Sequence, residues 1–287
     1  MKVILVPVAD RPESKVATEI AFGLADRLQA SVVGAHLRPH RDDIEKLQSK
    51  GLPLFGSADE NALRELTRKG SPKSLRATKA MFAGCAEEAG FTAAKGPRKG
   101  ADRLAVWREL VGSPDRLMEI AGPLADLTVV SRPTAKARLA KSFVLAALMR
   151  SARPVLVLPR RQSRAPGKRI AIAWNQSPEI SRTVAACMPM LTAAEQVTII
   201  SCGSEDRRGP KSRDFANYLK YWGIAADIER SKGRNEEEEM LGAYKDTGSD
   251  LLVMGAYSHS RLRELVFGGM TDKMLWHSNI PVIMQHI

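Results

Sequence analysis

Residues 251–285 have the sequence LLVMGAYSHSRLRELVFGGMTDKMLWHSNIPVIMQ, and this stretch decides the fold class. It opens with the apolar run Leu251–Met254 and closes with a second run, Pro281–Met284. Between them, a glycine pair precedes a helical pattern over Met270–His277. Short apolar runs on either side of a helix are typical of a strand–helix–strand unit with parallel strands. We therefore expect an α/β protein built on a parallel sheet.

The chain contains this pattern twice. The segment LADLTVVSRP at 124–133 matches GSDLLVMGAY at 248–257, and SARPVLVLPR at 151–160 matches HSNIPVIMQH at 277–286. A repeat of this size indicates a duplicated domain rather than a solenoid. The stretch Arg160–Arg169 between the copies is basic, contains a proline and a glycine, and is typical of a linker.

Apolar periodicity places the remaining elements as alternating strands and helices. In the first copy, strands are expected at Val3–Val8, Ser31–Leu37, Leu104–Val111, Asp126–Val130 and Pro154–Leu158, with helices near 16–28, up to Ala89, from Pro114, and at Leu139–Ser151. In the second copy, strands are expected at Ile170–Trp174, Val197–Ser201, Ile224–Ile228, Leu251–Met254 and Pro281–Met284, with helices from Pro178 and at Lys211–Trp222, Glu236–Thr247 and Met270–His277.

Composition argues against several classes of protein. The net charge of the 287-residue chain is +12. Residues 1–165 carry 29 Lys and Arg against 17 Asp and Glu, and residues 166–287 carry 15 against 15, so the whole excess lies in the first copy. The basic residues are scattered and aromatics make up 5%, which disfavours a nucleic-acid partner. No apolar run reaches the roughly 18 residues of a membrane span. The N-terminus lacks a signal-peptide cleavage pattern, so we expect a cytoplasmic protein.

Potential metal ligands and thiols favour structural roles. Cys85, Cys187 and Cys202 are far apart and odd in number, which indicates free thiols rather than a disulfide framework or a zinc site. The acidic run Glu236–Glu239 is typical of a helix first turn, where negative charge is favourable. His36 and His40 lack a third ligand at suitable spacing. We therefore expect no metal site.

The glycines of the opening stretch are candidates for an anion site. Gly255 ends a strand, where a missing Cβ lets a ligand approach the backbone. Gly268 and Gly269 precede a helix, whose free N–H groups and dipole attract phosphate, and Thr271 adds a hydroxyl. The alternative is that these glycines serve turns alone. His259, Arg261 and Arg263, between the glycines, are either a charged flap over a phosphate or a solvated surface.

Residues 251–285 resemble the C-terminal signature of the universal stress proteins, and AIAWNQSPEISRTV at 171–184 resembles the first strand and helix of that family. The resemblance covers almost the whole chain as two family domains in tandem, at 1–160 and 168–287. It implies two doubly wound, Rossmann-like domains of the adenine nucleotide alpha hydrolase type. Each would have a five-stranded parallel sheet of order 3-2-1-4-5. It also implies that the last strands of the two domains pair within the chain, and that two chains form a homodimer.

The resemblance places an ATP site, with Mg²⁺, in the C-terminal domain. Nucleotide-binding members carry Gly, two residues, Gly, nine residues, then Gly and Ser or Thr. Here Gly255 matches the first glycine and Gly268 the third, while Ser258 and Gly269 replace the second glycine and the hydroxyl residue. The implied ligand-binding residues, with Asn175 in place of the family's aspartate, are Asn175, Gly255, Ser258, Gly268, Gly269, Met270 and Thr271.

These departures imply weak nucleotide binding or none. One hydrogen bond to a charged group is worth roughly 1.5–3 kcal/mol. Asn175 keeps an acceptor for a ribose hydroxyl but loses the charge that favours Mg²⁺. The first copy departs further, with Ser131 for Gly255 and Ser142-Phe143-Val144 for the glycine pair. We therefore expect no ATP site of this kind in the first domain.

The implied function is a stress-response protein that acts as a regulatory or protective binding module. No nucleophile elbow, Walker A sequence or His-x-Gly-His motif is found, which favours a non-enzymatic role. Two alternatives stay open: a module for unknown protein partners with no nucleotide site, and a slow ATPase. The sequence does not say whether the polar stretch 38–57 orders on binding.

Overall fold

The chain forms two units, each built mainly on parallel strands. The first comprises Met1–Ser151 with Arg160–Arg164, and the second comprises Ala152–Pro159 with Ala165–Ile287. The structure is a computed structural model, and the residues it describes are 1–38, 72–134, 138–206, 208–231, 235–256 and 269–286.

The first unit alternates strands and helices as the periodicity predicts. Its Ser113 side chain accepts the Arg116 N–H and begins the third helix, as expected from the Ser-Pro pair. The elements are β1 (Val3–Val8), α1 (Pro12–Leu28), β2 (Ser31–Arg38), α2 (Pro72–Glu88), β3 (Thr92–Ala94), β4 (Leu104–Val111), α3 (Pro114–Ala121), β5 (Leu127–Ser131) and α4 (Arg138–Arg150), with a 3₁₀ turn at Gly122–Leu124.

The sheet of the first unit has the order β3-β4-β2-β1-β5, with all strands parallel. Four of these strands keep the 3-2-1-4 part of the expected 3-2-1-4-5 order, and the short strand β3 is added at the outer edge of β4. The expected fifth strand, Val155–Leu158, belongs to the second unit. The helices α1 and α2 cover one face, where Phe82 lies against Gly34 and Phe22 packs on Phe82 and Phe91.

The second unit repeats the pattern. Its elements are β6 (Val155–Leu158), β7 (Arg169–Ala173), α5 (Pro178–Thr192), β8 (Gln196–Cys202), α6 (Ser212–Lys220), β9 (Ala226–Ser231), α7 (Glu236–Asp246), β10 (Leu251–Gly255), α8 (Gly269–Asp272), a π turn (Lys273–His277) and β11 (Val282–Gln285).

The strand order of the second unit is β6-β11-β10-β7-β8-β9. From β11 to β9 all pairs are parallel and follow the expected 3-2-1-4-5 order. The final strands of the two copies pair with each other, as predicted, and they do so antiparallel, with Val282 opposite Val157 and Met284 opposite Val155. Their apolar edges are thereby covered.

An aspartate at the same place in each copy fixes the start of the central strands. The carboxylate of Asp250 accepts the backbone N–H groups of Gly167, Lys168 and Arg169 at 2.8, 3.1 and 3.1 Å. Asp126 accepts the N–H groups of Lys2 and Val3 in the same way. Both aspartates belong to the repeated segments LADL and GSDL, so their repetition has a structural reason.

Several boundaries differ from the predictions. Helix α6 ends at Lys220 rather than Trp222, because Gly223 follows with a positive φ of 73°. Strand β9 runs over Ala226–Ser231 rather than Ile224–Ile228. Arg169 already belongs to β7. The polar stretch 38–57 lies outside the described residues from position 39 onward. In the described ranges, no helix is both long enough and apolar enough to cross a membrane.

Candidate functional site

The carboxyl ends of β7 and β10 lie side by side in the second unit. The two strands are parallel neighbours, with Leu251 opposite Ile170 and Val253 opposite Ile172. Gly255 ends β10, and Asn175 follows β7 by two residues. The strand order reverses here, since β7 continues to β8 on one side and β10 to β11 on the other. Ligands of open α/β sheets bind at such a point.

Gly255 is explained by packing inside the protein. A Cβ at this position would lie 2.9 Å from both the Glu179 Cβ and the Ile180 backbone N. These atoms belong to the first turn of α5, which packs against the end of β10. The glycine thus permits α5 to pack closely on the strand, and a ligand is not needed to explain it.

Asn175 belongs to the turn that begins α5. Its side chain is exposed, and its Oδ1 accepts the Ser177 N–H at 3.2 Å. The Ser177 hydroxyl in turn accepts the Ile180 N–H at 3.4 Å, as an N-cap does. The oxygen that was expected to accept a ribose hydroxyl therefore already accepts a backbone hydrogen bond.

The residues after the glycine pair form a short, irregular helix. Helix α8 begins at Gly269, one residue earlier than predicted, and after Asp272 the backbone widens into the π turn. Thr271 is 8% exposed, and Met270 is half-buried. Ser258 and Gly268, together with His259, Arg261 and Arg263, lie outside the described residues. The structure thus brings Asn175 and Gly255 to one edge and places Gly269, Met270 and Thr271 in α8.

A loop covers the end of β7, which the sequence did not indicate. The Trp174 Nε1–H donates to the Pro210 carbonyl at 2.9 Å, and the Gln176 Nε2–H donates to the Gly209 carbonyl at 2.8 Å. A Cβ on Gly209 would lie 2.0 Å from the Gln176 carbonyl oxygen, so only glycine fits. Trp174 is 4% exposed and stacks on Phe215 with ring centroids 3.9 Å apart. Burial explains Trp174 without a ligand.

A half-buried carboxylate anchors the same loop. Glu205 accepts hydrogen bonds from the Ser201 hydroxyl at 3.1 Å and the Ser212 N–H at 2.8 Å, and it also pairs with Arg230. Burial alone would raise the pKa of Glu205, but the hydrogen bonds from Ser212 and Ser201 and the charge of Arg230 outweigh it and lower the pKa.

Glu179 is an acidic residue whose Cβ lies beside Gly255. Its Oε2 is buried and has no hydrogen-bond partner among the described residues. Burial lowers the pKa of His286, and the charge of the nearby Glu179 partly offsets that effect. A carboxylate next to the expected phosphate position repels a polyphosphate. Sequence reasoning missed this residue, although its first-turn position in α5 was visible.

The equivalent edge of the first unit holds a small cavity of about 60 Å³, lined among others by Ser131, Phe143 and Val144. The Ser131 hydroxyl, at the place of Gly255, donates to the Glu13 carbonyl at 3.0 Å in the first turn of α1. The next residue, Arg132, is 4% exposed. A ligand therefore cannot approach the backbone here as closely as it could at a glycine, in agreement with the degenerate motif of this copy.

The remaining candidates have structural roles. Glu236–Glu239 form the first turn of α7, as predicted. His36 is 2% exposed, its Nδ1 lies 2.9 Å from the Val8 carbonyl oxygen, and its ring stacks on Trp107. The three cysteines are free thiols. In the described ranges, no three His, Cys, Asp or Glu side chains converge as metal ligands.

Comparison with known proteins identifies the family of the C-terminal part. Residues 204–286 match the model of the universal stress protein family. Universal stress protein Slr1230 of Synechocystis is 39% identical over 65 residues, which are 23% of this chain and 22% of that protein. The match thus spans about a fifth of the length of this relative.

Two solved structures match the fold of the whole chain. A universal stress protein from Archaeoglobus fulgidus aligns with a TM-score of 0.68 at 14% identity, over 99% of this chain and 95% of that one. A protein of unknown function from Pseudomonas aeruginosa aligns with a TM-score of 0.53 at 12% identity, over 99% and 92%. Residues 204–286 are therefore similar to the universal stress protein family, and the chain has, over its whole length, the fold of a solved universal stress protein.

Proposed function

We propose that the chain is a tandem universal stress protein that acts in the cytoplasm as a regulatory or protective binding module in the response to stress. The two UspA-type domains would be 1–160 and 168–287. The repeated aspartates Asp126 and Asp250, each holding the start of a central strand, support the duplication. The three free thiols suit a reducing compartment. Assembly into a homodimer belongs to the same proposal.

The C-terminal domain would bind ATP weakly, with Mg²⁺. The observation that carries this proposal is the meeting of Asn175 and Gly255 at the reversal point of the second sheet. Gly268, Gly269 and the start of α8 would offer backbone N–H groups to phosphate, with Ser258, Met270 and Thr271 around them. The described residues fit this ligand in part, since Asn175 Oδ1 already accepts the Ser177 N–H.

Charge and packing at the same edge set the affinity low. The Cβ of Glu179 lies beside Gly255, and the negative charge of this side chain would oppose binding of a triphosphate. The replacement of aspartate by Asn175 removes a metal-attracting charge. We therefore expect a dissociation constant far above that of a dedicated nucleotide enzyme and no ATPase role.

A partner-binding module without a nucleotide is the second candidate. One observation favours it, an exposed aromatic surface at the end of α6. Tyr221 is 90% exposed, Trp222 50% and Tyr218 43%. Tyrosine and tryptophan are the residues most enriched at the energetic centres of protein interfaces. Under this alternative, the glycines serve α5 packing and turns alone.

Calorimetric titration of the nucleotide-stripped full chain with ATP and Mg²⁺ separates the two candidates. Gly268→Val is the test variant, and Gly242→Ala is the control, because a Cβ at Gly242 meets nothing within 4 Å. Weak binding that is lost only in Gly268→Val supports the nucleotide site. No heat up to millimolar ATP overturns it and leaves the partner-binding module.

A further inference from the structure

A cavity lies on one face of the sheet of the first unit. Its volume is about 570 Å³, within the range of roughly 300–1,000 Å³ typical of small-molecule sites. Its floor consists of side chains from three neighbouring strands, in two rows set by the strand register: Val3, Ser31 and Leu104, then Leu5, Val33 and Val106.

The cavity opens on the face opposite α1 and α2. Gly34 lies against Phe82 of α2, and successive residues of a strand point to opposite faces, so Val33 points away from these helices. Val33 lies on an interior strand and still keeps partial exposure. Two walls flank the floor. One is the turn with Pro97, Ala101 and Asp102, and the other is Ala121 and Leu124 at the end of α3.

The short helix α3 leaves this face open. Eight residues span only about 12 Å, at ~1.5 Å per residue. In the second unit the corresponding helix α7 has 11 residues. Helix α7 lies along the sheet face that contains Thr198. Together with burial, Glu239 and Glu236 of this helix raise the pKa of Cys202, which lies on the same face of β8 further along the strand. Thr198, which takes the place of Val33 in the register, is accordingly 1% exposed.

The walls expose apolar side chains to solvent. Leu124, which lines the cavity, is 71% exposed, and Ile120, which lies four residues earlier outside the lining, is 50% exposed. An exposed leucine beside a partly open valine floor costs free energy in water, and an apolar ligand in the cavity would remove that cost.

Charged groups at the two ends of the cavity differ. At the amino end of the strands, Lys2 and Asp102 have opposite signs, and the Lys2 Nζ also donates to the Gln29 carbonyl at 3.2 Å. At the other end stands Arg108, one step beyond Val106 on the same face of β4. The Arg108 side chain is exposed and, within the described part of the chain, makes no ion pair or hydrogen bond.

We propose that this cavity binds a small amphipathic carboxylate, with its hydrocarbon chain on the valine–leucine floor and its carboxylate at Arg108. The lining carries one net positive charge, and a guanidinium pairs with a carboxylate through two parallel hydrogen bonds. From Leu104 to Arg108 the strand spans about 13 Å, which suits a chain of roughly ten carbons. The site lies in the first unit and is independent of the proposed nucleotide site.

The test is calorimetric titration of the full chain with decanoate below its micelle concentration. Decyltrimethylammonium is the matched probe of opposite charge. Arg108→Gln removes the carboxylate partner from an exposed position. Arg98→Gln is the control, because Arg98 is exposed in the neighbouring turn and does not line the cavity.

We expect one decanoate per chain and at least tenfold weaker binding in Arg108→Gln, with Arg98→Gln unchanged. Leu124→Glu, at an exposed wall position, should also weaken binding of decanoate without disturbing the fold. Val33→Trp fills the floor and should abolish binding, with circular dichroism showing whether it folds. Three results would overturn the proposal. The first is no heat with decanoate, and the second is that Arg108→Gln and Leu124→Glu both bind decanoate as tightly as the parent. The third is that decyltrimethylammonium binds the parent as tightly as decanoate does.

Discussion

The substitution Gly255→Ala tests whether this glycine is required by packing. The added Cβ would lie 2.9 Å from the Glu179 Cβ and the Ile180 backbone N, well inside the 3.4–4 Å of ordinary contact. Neither atom is the far end of a flexible side chain, so α5 and β10 have to move apart. Overpacking of this kind costs about 1–3 kcal/mol.

The assay is urea and thermal unfolding followed by tryptophan fluorescence. For a unit of this size, we expect the midpoint temperature of the second unit to fall by roughly 5–10 °C. Gly242→Ala is the control, since its Cβ meets nothing within 4 Å and alanine favours the helix α7. If Gly255→Ala unfolds at the parent's midpoint, close packing is not the reason for this glycine.

Three further outcomes follow from hydrogen bonds and burial. Asp250→Ala should lower the unfolding free energy by about 2–4 kcal/mol because three backbone N–H groups lose their acceptor. Asp246→Ala is the control and should change the unfolding free energy little. Equal urea midpoints for the two variants would contradict this prediction. The pKa of Glu205 lies below its ordinary value of 4.5 in the folded state, so ionised Glu205 stabilises the fold at pH values above 4.5. This stabilisation is lost as the pH falls through the folded-state pKa. Glu205→Gln should therefore flatten the acid limb of stability against pH, and an unchanged slope would count against the Ser201 and Ser212 network. Burial raises the pKa of Cys187 to about 12 and that of Cys202 to about 11. Iodoacetamide at neutral pH should therefore alkylate both thiols slowly until urea unfolds the chain. Rapid labelling of the folded protein would contradict the raised pKa values.

Local signals predicted most of the fold. Apolar runs placed the central strands, and the Ser-Pro pairs at Ser113 and Ser177 placed two helix starts, because both effects act within a few residues. Strand β3 was missed because Thr92–Ala94 is only three residues long and stands at a sheet edge. Ile224 was taken as strand because it is apolar, but its N–H bonds back to the Leu219 carbonyl and it packs beneath α6.

The candidate site was predictable only where the strand register decides it. The meeting of Asn175 and Gly255 follows from parallel strands, so the pattern sufficed. Two other contacts depend on how distant segments pack. Glu179 contacts Gly255, which is 76 residues away in sequence, and Gln176 contacts Gly209, which is 33 residues away. A single sequence carries no local signal for such contacts, although they change the electrostatics of the site.

The charge of Glu179 offers the most direct test of weak nucleotide binding at the β7–β10 edge. The measurement is the dissociation constant of ATP with Mg²⁺ for the stripped full chain and for Glu179→Gln. Glu195→Gln is the control, because Glu195 pairs with Lys168 at the opposite end of the strands. Two unit charges ~6 Å apart interact by about 0.7–2.8 kcal/mol at effective dielectric constants from about 80 down to about 20. We expect Glu179→Gln to bind ATP roughly three- to a hundredfold more tightly than the parent, with Glu195→Gln unchanged. Equal dissociation constants for Glu179→Gln and the parent, or no binding by either at millimolar ATP, would contradict a nucleotide site at this edge.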